Sequence, residues 1–136
     1  MPDIYILNDV AHFYGNTRAF WVDHLLIEKG SIVGLIGPNG SGKSTLLKIL
    51  AFVQKPTRGT ILFKQKPASV FSEAVRFNVT LLTQEPYLLK RTVMANIAYG
   101  LKIRGRKNNL KIKVHKSLES VGLDPEKFAG RKWNEL

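Results

Sequence analysis

Apolar positions in the first thirty residues are grouped as they are in β-strands. Two runs, IYILNDV at 4–10 and FWVDHLLIE at 20–28, are rich in β-branched, aromatic and aliphatic residues, which suit a pleated sheet. The sequences YGN and EKG follow these runs, and glycine and asparagine are typical of turns. The pattern predicts an antiparallel β-layer at the start of the chain.

The pattern changes from strand to helix between residues 31 and 50. SIVGLI, at 31–36, is short, apolar and bounded by glycines, which predicts a buried parallel strand. After Gly42 the apolar residues recur with the spacing of one broad helix face. The residues of this face are Leu46, Leu47, Ile49 and Leu50. A strand, a glycine-rich turn and a helix are therefore predicted to follow each other without a gap.

Two more strands are predicted in the middle of the chain. Pro56 and Gly59 end the preceding unit, and TILF at 60–63 then has the composition of a strand. FNVTLLTQ, at 77–84, is predicted to be another buried strand that ends near Gln84.

The last part of the chain has helical periodicity. Thr92 is a predicted N-cap for the segment VMANIAYGL. A second helix is predicted over about 109–121, because one face of it carries Leu110, Val114, Leu118 and Val121. Gly122 follows it where a C-cap glycine belongs. Asp124 and Pro125 predict the start of one more helical turn.

Composition places these elements in a globular chain. Of the 136 residues, 44% are hydrophobic and none is cysteine, which excludes disulfides and cysteine-ligated metals. No apolar run approaches the roughly 20 residues of a membrane-spanning helix, and the first residues do not have the pattern of a signal peptide. We therefore expect a soluble intracellular protein.

The net charge of +11 is concentrated in the second half of the chain. Residues 86–118 contain no Asp or Glu, and their basic residues are Lys90, Arg91, Lys102, Arg104, Arg106, Lys107, Lys111, Lys113 and Lys116. Such a block is compatible with nucleic acid, anionic lipid or an acidic protein as partner, and equally with a solvated surface. No aromatic residue interleaves with the cluster at 102–116, which disfavours nucleic acid.

The sequence GPNGSGKST indicates a site for polyphosphate. It matches the spacing G-x-x-x-x-G-K-[ST], and its residues are Gly37, Pro38, Asn39, Gly40, Ser41, Gly42, Lys43, Ser44 and Thr45. Glycines allow the backbone to direct successive N–H groups at anionic oxygens, and a helix N-terminus adds positive charge there.

Each polar side chain of this stretch has an expected role. Lys43 can reach the β- and γ-phosphates, and the Ser44 hydroxyl can ligate Mg²⁺. Thr45 is expected to support the phosphate end through its hydroxyl or its backbone. The position between a predicted strand and a predicted helix favours this interpretation over an ordinary glycine-rich turn. The glycines at 37, 40 and 42 do not fit the dinucleotide pattern G-x-G-x-x-G.

With these motifs in their order, the chain resembles the nucleotide-binding subunit of ATP-binding cassette (ABC) transporters. GPNGSGKSTLL is similar to the Walker A motif of that family, and LLTQEPYLL resembles its Q-loop, with Gln84 as the glutamine. HFYGN resembles the A-loop, where Tyr14 would be the aromatic residue that stacks on adenine. RTVMANIAYGL is similar to the helical segment after the Q-loop.

The resemblance implies an α/β fold of the P-loop NTPase class, with ATP and Mg²⁺ as cofactors. Residues 1–87 would form the core sheet with its antiparallel β-layer and Walker A, and residues 88–136 a partial, basic helical subdomain. Lys43 and Gln84 would be the catalytic residues present, and Gln84 would approach Mg²⁺ or the attacking water. Glu85 is not used by the family as a base.

The resemblance also implies what surrounds such a chain. Partners would be a transmembrane permease subunit and a second nucleotide-binding subunit, at the cytoplasmic face of the cell membrane. Within the family, the segment around the Q-loop is most similar to importer subunits, especially those of tungstate and molybdate. The transported solute would then be a small one, such as an oxyanion.

Several family motifs are not found in the sequence. It has no LSGGQ signature, no apolar strand ending in Asp-Glu and no switch histidine after it, and Leu136 would be the first letter of the signature. We therefore expect nucleotide binding without turnover. Because the missing catalytic strand lies inside the sheet of the family, we also expect exposed strand edges and self-association through them.

Three alternatives remain open at this point. The first is a nucleic-acid-associated relative of the cassette ATPases, which would use the basic block. The second is an exporter-type cassette, whose first half is similar. The third is another phosphate-loop protein, a GTPase or small-molecule kinase, although the sequence has no guanine-specific N-K-x-D motif.

Overall fold

The computed structural model describes residues 2–85 and 87–135. By their contacts they form two compact units, Met1–Leu82 and Thr83–Leu136. The elements of the first unit are β1 (Asp3–Tyr14), β2 (Thr17–Glu28), α1 (Lys43–Leu50), β3 (Arg58–Phe63), β4 (Lys66–Pro67) and α2 (Glu73–Arg76). Those of the second unit are α3 (Val93–Ile103), α4 (Leu110–Glu119), α5 (Pro125–Phe128) and a 3₁₀ turn (Trp133–Glu135).

The first unit is built on an antiparallel sheet with the strand order β2-β1-β3-β4. β1 and β2 form a long hairpin whose register runs from Asp3 opposite Glu28 to Tyr14 opposite Thr17. Gly15, in the turn between them, has a φ of 58°, a conformation that glycine adopts without strain. The predicted antiparallel β-layer is confirmed, and the predicted TILF strand forms part of β3.

The core of the first unit lies between this sheet and α1. It is formed by Leu7, Val10, Leu46, Ile49, Phe52, Ile61, Phe63 and Val75. Leu46 and Ile49 of the predicted helix face are buried, whereas Leu47 is exposed. The apolar face of α1 that packs on the sheet is therefore narrower than predicted.

Tyr5 joins the strands to the end of α1. Its ring lies 5.1 Å from the ring of Phe63 and stacks on Phe52. Its hydroxyl donates a hydrogen bond to the carbonyl oxygen of Leu50 at 3.0 Å. Burial raises the pKa of Tyr5 to about 12, because a phenolate would lose its hydration there.

The two predicted buried strands, SIVGLI and FNVTLLTQ, are not formed. Residues 31–36 are irregular and exposed, with Ile32 100% and Ile36 95% accessible. Residues 77–84 also contain no strand, and Leu82 is 83% accessible. A strand requires a hydrogen-bonded neighbour, and within the described residues neither segment is paired with a strand of the sheet. The prediction of these two strands from their apolar composition was therefore wrong.

The second unit is helical, and its caps follow the prediction. The Thr92 hydroxyl accepts a hydrogen bond from the Ala95 N–H at 3.2 Å, and the Asp124 carboxylate accepts one from the Glu126 N–H at 3.0 Å. The core of this unit consists of Val93, Ala98, Val114, Leu118 and Ala129. Within the part of the chain that the structure describes, no helix is long and apolar enough to cross a membrane.

The helix predicted over 109–121 is shorter than expected. Asn109 is its N-cap, with a φ of 54°, and the helix ends at Glu119. Val114 and Leu118 are buried as predicted, but Val121 lies beyond the helix and is exposed. The chain turns at Gly122, whose φ is 77°. The buried face of the helix therefore ends at Leu118, and Val121, the last predicted member of that face, is not part of it.

The raised pKa of Tyr5 predicts an alkaline loss of stability that Tyr5→Phe removes. The folded state retains the phenol proton up to about pH 12, whereas the unfolded chain releases it at about pH 10. The free energy of unfolding contributed by Tyr5 is therefore complete below pH 10 and falls as the pH rises toward 12. Urea denaturation between about pH 9 and pH 11.5 measures this slope.

Tyr5→Phe should make the alkaline slope shallower, and at neutral pH it should cost about 1 kcal/mol for the lost hydrogen bond. Tyr87→Phe is the matched control, because the side chain of Tyr87 is exposed. Identical alkaline slopes for the native chain and Tyr5→Phe would contradict the prediction.

The exposed apolar segment at 31–36 predicts self-association. Unpaired extended segments with apolar side chains can pair with another copy, and Ile32 is fully accessible. Ile32→Lys should lower the association constant measured by light scattering. Val121→Lys is the control, since Val121 is 68% accessible in the other unit. A native chain that is monomeric and melts cooperatively would refute this expectation.

Candidate functional site

The N-terminus of α1 is open to an anion. Gly42 is the N-cap residue, no side chain among the described residues caps the helix, and its first turn contains no acidic residue. The first N–H groups of a helix have no partner within the helix, and they carry its partial positive charge. A phosphate group would satisfy them, as at other helix N-termini.

Glycine is required at Gly42 for two reasons. Its φ is 86°, which is in the left-handed region. A Cβ there would overlap the carbonyl oxygen of Ala19 and lie 2.8 Å from the Cβ of Phe20. The start of α1 therefore lies directly on the backbone of β2. Gly40 has a similar φ of 81°, but space around it is open.

Lys43 lies across the glycine-rich loop. Its Nζ donates hydrogen bonds to the carbonyl oxygens of Gly37 at 2.7 Å and Pro38 at 2.6 Å. An ammonium group has three donors, and the third is directed to the Ser41 hydroxyl at a long 3.5 Å, a weak contact that a phosphate oxygen could replace. The side chain is thus oriented by the loop itself, and its charge is fixed beside the open helix N-terminus.

Ser44 and Thr45, the two hydroxyl residues after Lys43, differ in their surroundings, since Ser44 is exposed and Thr45 is buried. Ser44 is exposed, as a ligand of Mg²⁺ beside phosphate must be. No group of three or more acidic or histidine side chains that could hold a metal occurs in the described residues. Ser44 stays the predicted Mg²⁺ ligand, and its hydroxyl supplies the kind of oxygen that Mg²⁺ prefers.

Tyr14 is connected to the same helix. Its hydroxyl lies 3.3 Å from the Thr45 hydroxyl and 3.0 Å from the Gln54 amide nitrogen. The hydrogen bond with Thr45, then that with Gln54, and the charge of Lys48 lower the pKa of Tyr14. The hydroxyl of Thr45 is thus directed to Tyr14. The structure brings the predicted aromatic residue and the phosphate loop together, with 54% of Tyr14 accessible.

Two residues near Tyr14 were not predicted as part of the site. The ring of His12 contacts that of Tyr14 edge to face at 4.7 Å, and its Nε2 lies 2.7 Å from the Gln54 amide nitrogen. His12 precedes Tyr14 by two positions on β1, and alternate residues of a strand share a face. The two-residue spacing could therefore have identified His12 as a neighbour of Tyr14. Gln54 follows α1 in a loop whose sequence has no distinctive pattern.

The remaining predicted residues are exposed. Pro38, Asn39 and Ser41 lie in the loop spanned by Lys43. Gln84 is exposed and belongs to the second unit, so its approach to Mg²⁺ stays a prediction. Glu85 accepts a hydrogen bond through its backbone carbonyl oxygen from the Thr83 hydroxyl at 2.7 Å.

The close approach at Gly42 predicts unequal costs for two alanine substitutions. Gly40→Ala should lower the free energy of unfolding by about 1–2 kcal/mol, the cost of a left-handed alanine. Gly42→Ala should cost at least about 1 kcal/mol more, because its Cβ also overlaps β2. Urea denaturation of both variants measures the difference. Equal costs would show that the contact with Ala19 does not constrain the loop.

The comparison with known protein families agrees with these motifs. Residues 23–136 match the family model described as ABC transporter. Over 131 residues the chain is 37% identical to the tungstate uptake system ATP-binding protein TupC of Peptoclostridium acidaminophilum. The matched region covers 96% of the chain and 58% of TupC. The chain is 42% identical over 120 residues to the sulfate/thiosulfate import ATP-binding protein CysA of Mesostigma viride, covering 87% and 34% respectively.

A solved structure shows the same fold. The cassette MJ0796, determined as a dimer in a post-hydrolysis state with ADP and Pi, superposes with a TM-score of 0.84 at 26% identity, over 97% of the chain and 62% of the cassette. The fold is thus the P-loop NTPase fold of ABC cassettes, α/β with an N-terminal antiparallel sheet. The chain spans between a third and three fifths of these relatives. It belongs to the ABC transporter family, as part of an ATP-binding cassette.

Proposed function

We propose that the loop Gly37–Thr45 binds the polyphosphate of ATP together with Mg²⁺. The observation that carries this proposal is the position of Lys43 Nζ, held by two loop carbonyl oxygens beside an uncapped helix N-terminus. Backbone N–H groups and a fixed ammonium are the means by which phosphate loops hold β- and γ-phosphates.

Each side chain of the site is proposed to contact a different part of the magnesium–ATP complex. Lys43 neutralises phosphate charge, and the exposed hydroxyl of Ser44 ligates Mg²⁺. Bound Mg²⁺ offsets the charge of the phosphate oxygens. Tyr14 supplies an aromatic surface against the adenine base. Gln84 is proposed to respond to Mg²⁺ or to water near the terminal phosphate.

The transport role is proposed from the family and from the relatives. We propose a motor subunit that energises import of a small solute, at the cytoplasmic face of the membrane, with a transmembrane permease and a second cassette as partners. The dimeric MJ0796 cassette supports the second partner. The names of TupC and CysA refer to tungstate and to sulfate or thiosulfate. All three are oxyanions, which supports an oxyanion as the solute.

Lys43→Ala should abolish most nucleotide binding. Removing a charged hydrogen-bond donor to phosphate costs about 1.5–3 kcal/mol, which is about a 10- to 100-fold weaker Kd. Binding of a fluorescent ATP analogue with Mg²⁺, measured for the native chain and the variant, gives this ratio. Lys66→Ala, which removes an exposed lysine of β4, is the charge-matched control.

Equal affinity of the native chain and Lys43→Ala would overturn the proposal, as would an equal loss in Lys66→Ala. The same samples test turnover. We expect no steady-state phosphate release, because hydrolysis needs a base that positions water, and the family's Asp-Glu strand is not in the sequence. Rapid release that Lys43→Ala abolishes would contradict this part.

A further inference from the structure

A chain of polar contacts joins β1 to the phosphate-loop helix. The Gln54 amide nitrogen lies 2.7 Å from Nε2 of His12 and 3.0 Å from the hydroxyl of Tyr14. The Tyr14 hydroxyl lies 3.3 Å from the hydroxyl of Thr45. His12 and Thr45, at the two ends of this polar chain, are both buried. The ends are therefore fixed by packing, and Gln54 and Tyr14 lie between them.

The Gln54 amide nitrogen contacts both of its neighbours in the polar chain. An amide nitrogen carries two hydrogens and accepts none. One Gln54 hydrogen is donated to Nε2 of His12, which accepts it in the tautomer that carries the ring hydrogen on Nδ1, and the other to the phenol oxygen of Tyr14. The Tyr14 and Thr45 hydroxyls lie 3.3 Å apart, where either can donate, and the phenol hydrogen can also be donated to the Gln54 amide oxygen at 3.4 Å. Reversing the amide would place its oxygen next to Nε2 of His12 and remove the hydrogen bonds that the amide nitrogen donates to His12 and Tyr14.

His12 contributes little else to the fold through polar contacts. Its Nδ1 is buried and has no hydrogen-bond partner among the residues that the structure describes, an arrangement that costs stability. Its polar contact is with Gln54, and its ring edge contacts Tyr14. His12 therefore acts on the same tyrosine in two ways, directly through its ring and indirectly through Gln54.

We propose that Gln54, oriented by His12, is a positioning residue that holds the Tyr14 ring ready for a nucleobase and connects it to the phosphate loop through Thr45. The inference rests on the proposed nucleotide binding. A half-exposed tyrosine without these contacts would sample several rotamers, and ordering it would weaken binding. Fixing the hydroxyl from behind leaves the accessible part of the ring for stacking.

This role has a distinctive signature. Stacking is tolerant of the base, because every base has a π-face. Loss of the Gln54 contact should therefore weaken MgATP and MgGTP alike by about 2- to 10-fold, the effect of one newly mobile side chain. Binding of inorganic tripolyphosphate with Mg²⁺ should stay within about twofold, since Lys43 and the loop backbone are unchanged.

The experiment uses Gln54→Met, which keeps the length of the side chain and removes the amide. Calorimetric affinities of the 136-residue chain for MgATP, MgGTP and magnesium tripolyphosphate are compared with those of the native chain. Gln65→Met is the matched control, because Gln65 is exposed in the turn between β3 and β4. Circular dichroism melts verify that each variant is folded.

A double-mutant cycle distinguishes positioning from a general structural effect. In the background of Tyr14→Phe, which lacks the hydroxyl, Gln54→Met should cause no further loss of MgATP affinity. A loss that persists in that background, or that is equal for tripolyphosphate, would overturn the inference, as would unchanged nucleotide affinities in Gln54→Met. Tripolyphosphate binding that Lys43→Ala leaves intact would instead overturn the proposed function, and this inference with it.

Discussion

The candidate site depends on the absence of a side chain at Gly42. Gly42 directly precedes α1. Because it has no Cβ, its backbone can lie against the Ala19 carbonyl of β2. The helix N-terminus is thus fixed by the long hairpin, and not by its own loop alone. On its other side, α1 buries Leu46 and Ile49 in the core. Contacts at both its start and its face determine the direction of the helix end that is proposed to bind phosphate.

The same packing determines the position of the aromatic residue. Tyr14 is at the end of β1, whose other end carries Tyr5 among the aromatic side chains of the core. Tyr5 donates to Leu50 at the last turn of α1, and Tyr14 contacts Thr45 near its first turn. The strand is therefore hydrogen-bonded to α1 at both ends of the helix. A shift of β1 against α1 would disturb the core and the site together.

Local patterns predicted the elements that are stabilised locally or by neighbours in sequence. The hairpin of β1 and β2 and the cap at Thr92 follow from composition and spacing, because the partner residues are close along the chain. SIVGLI was wrongly predicted as a strand, since a parallel strand depends on a partner distant in sequence. The phosphate loop was recognisable because the spacing of its glycines and lysine is itself what phosphate binding requires. Gln54 was not recognised, since its proposed role depends on His12, which lies 42 residues away in sequence.

An uncapped helix end is an energetic compromise that a ligand can offset. A side-chain cap at Gly42 would stabilise α1 by about 1 kcal/mol, but it would occupy the N–H groups that a phosphate needs. The loop instead uses Lys43 to satisfy its carbonyl oxygens and leaves the donors open. A ligand that binds only the folded state then stabilises it in proportion to its affinity. The proposed nucleotide binding would therefore be linked to stability through the same few backbone groups. Tyr14 is joined to that helix by Thr45, so the proposed contact with the base would belong to the same linkage.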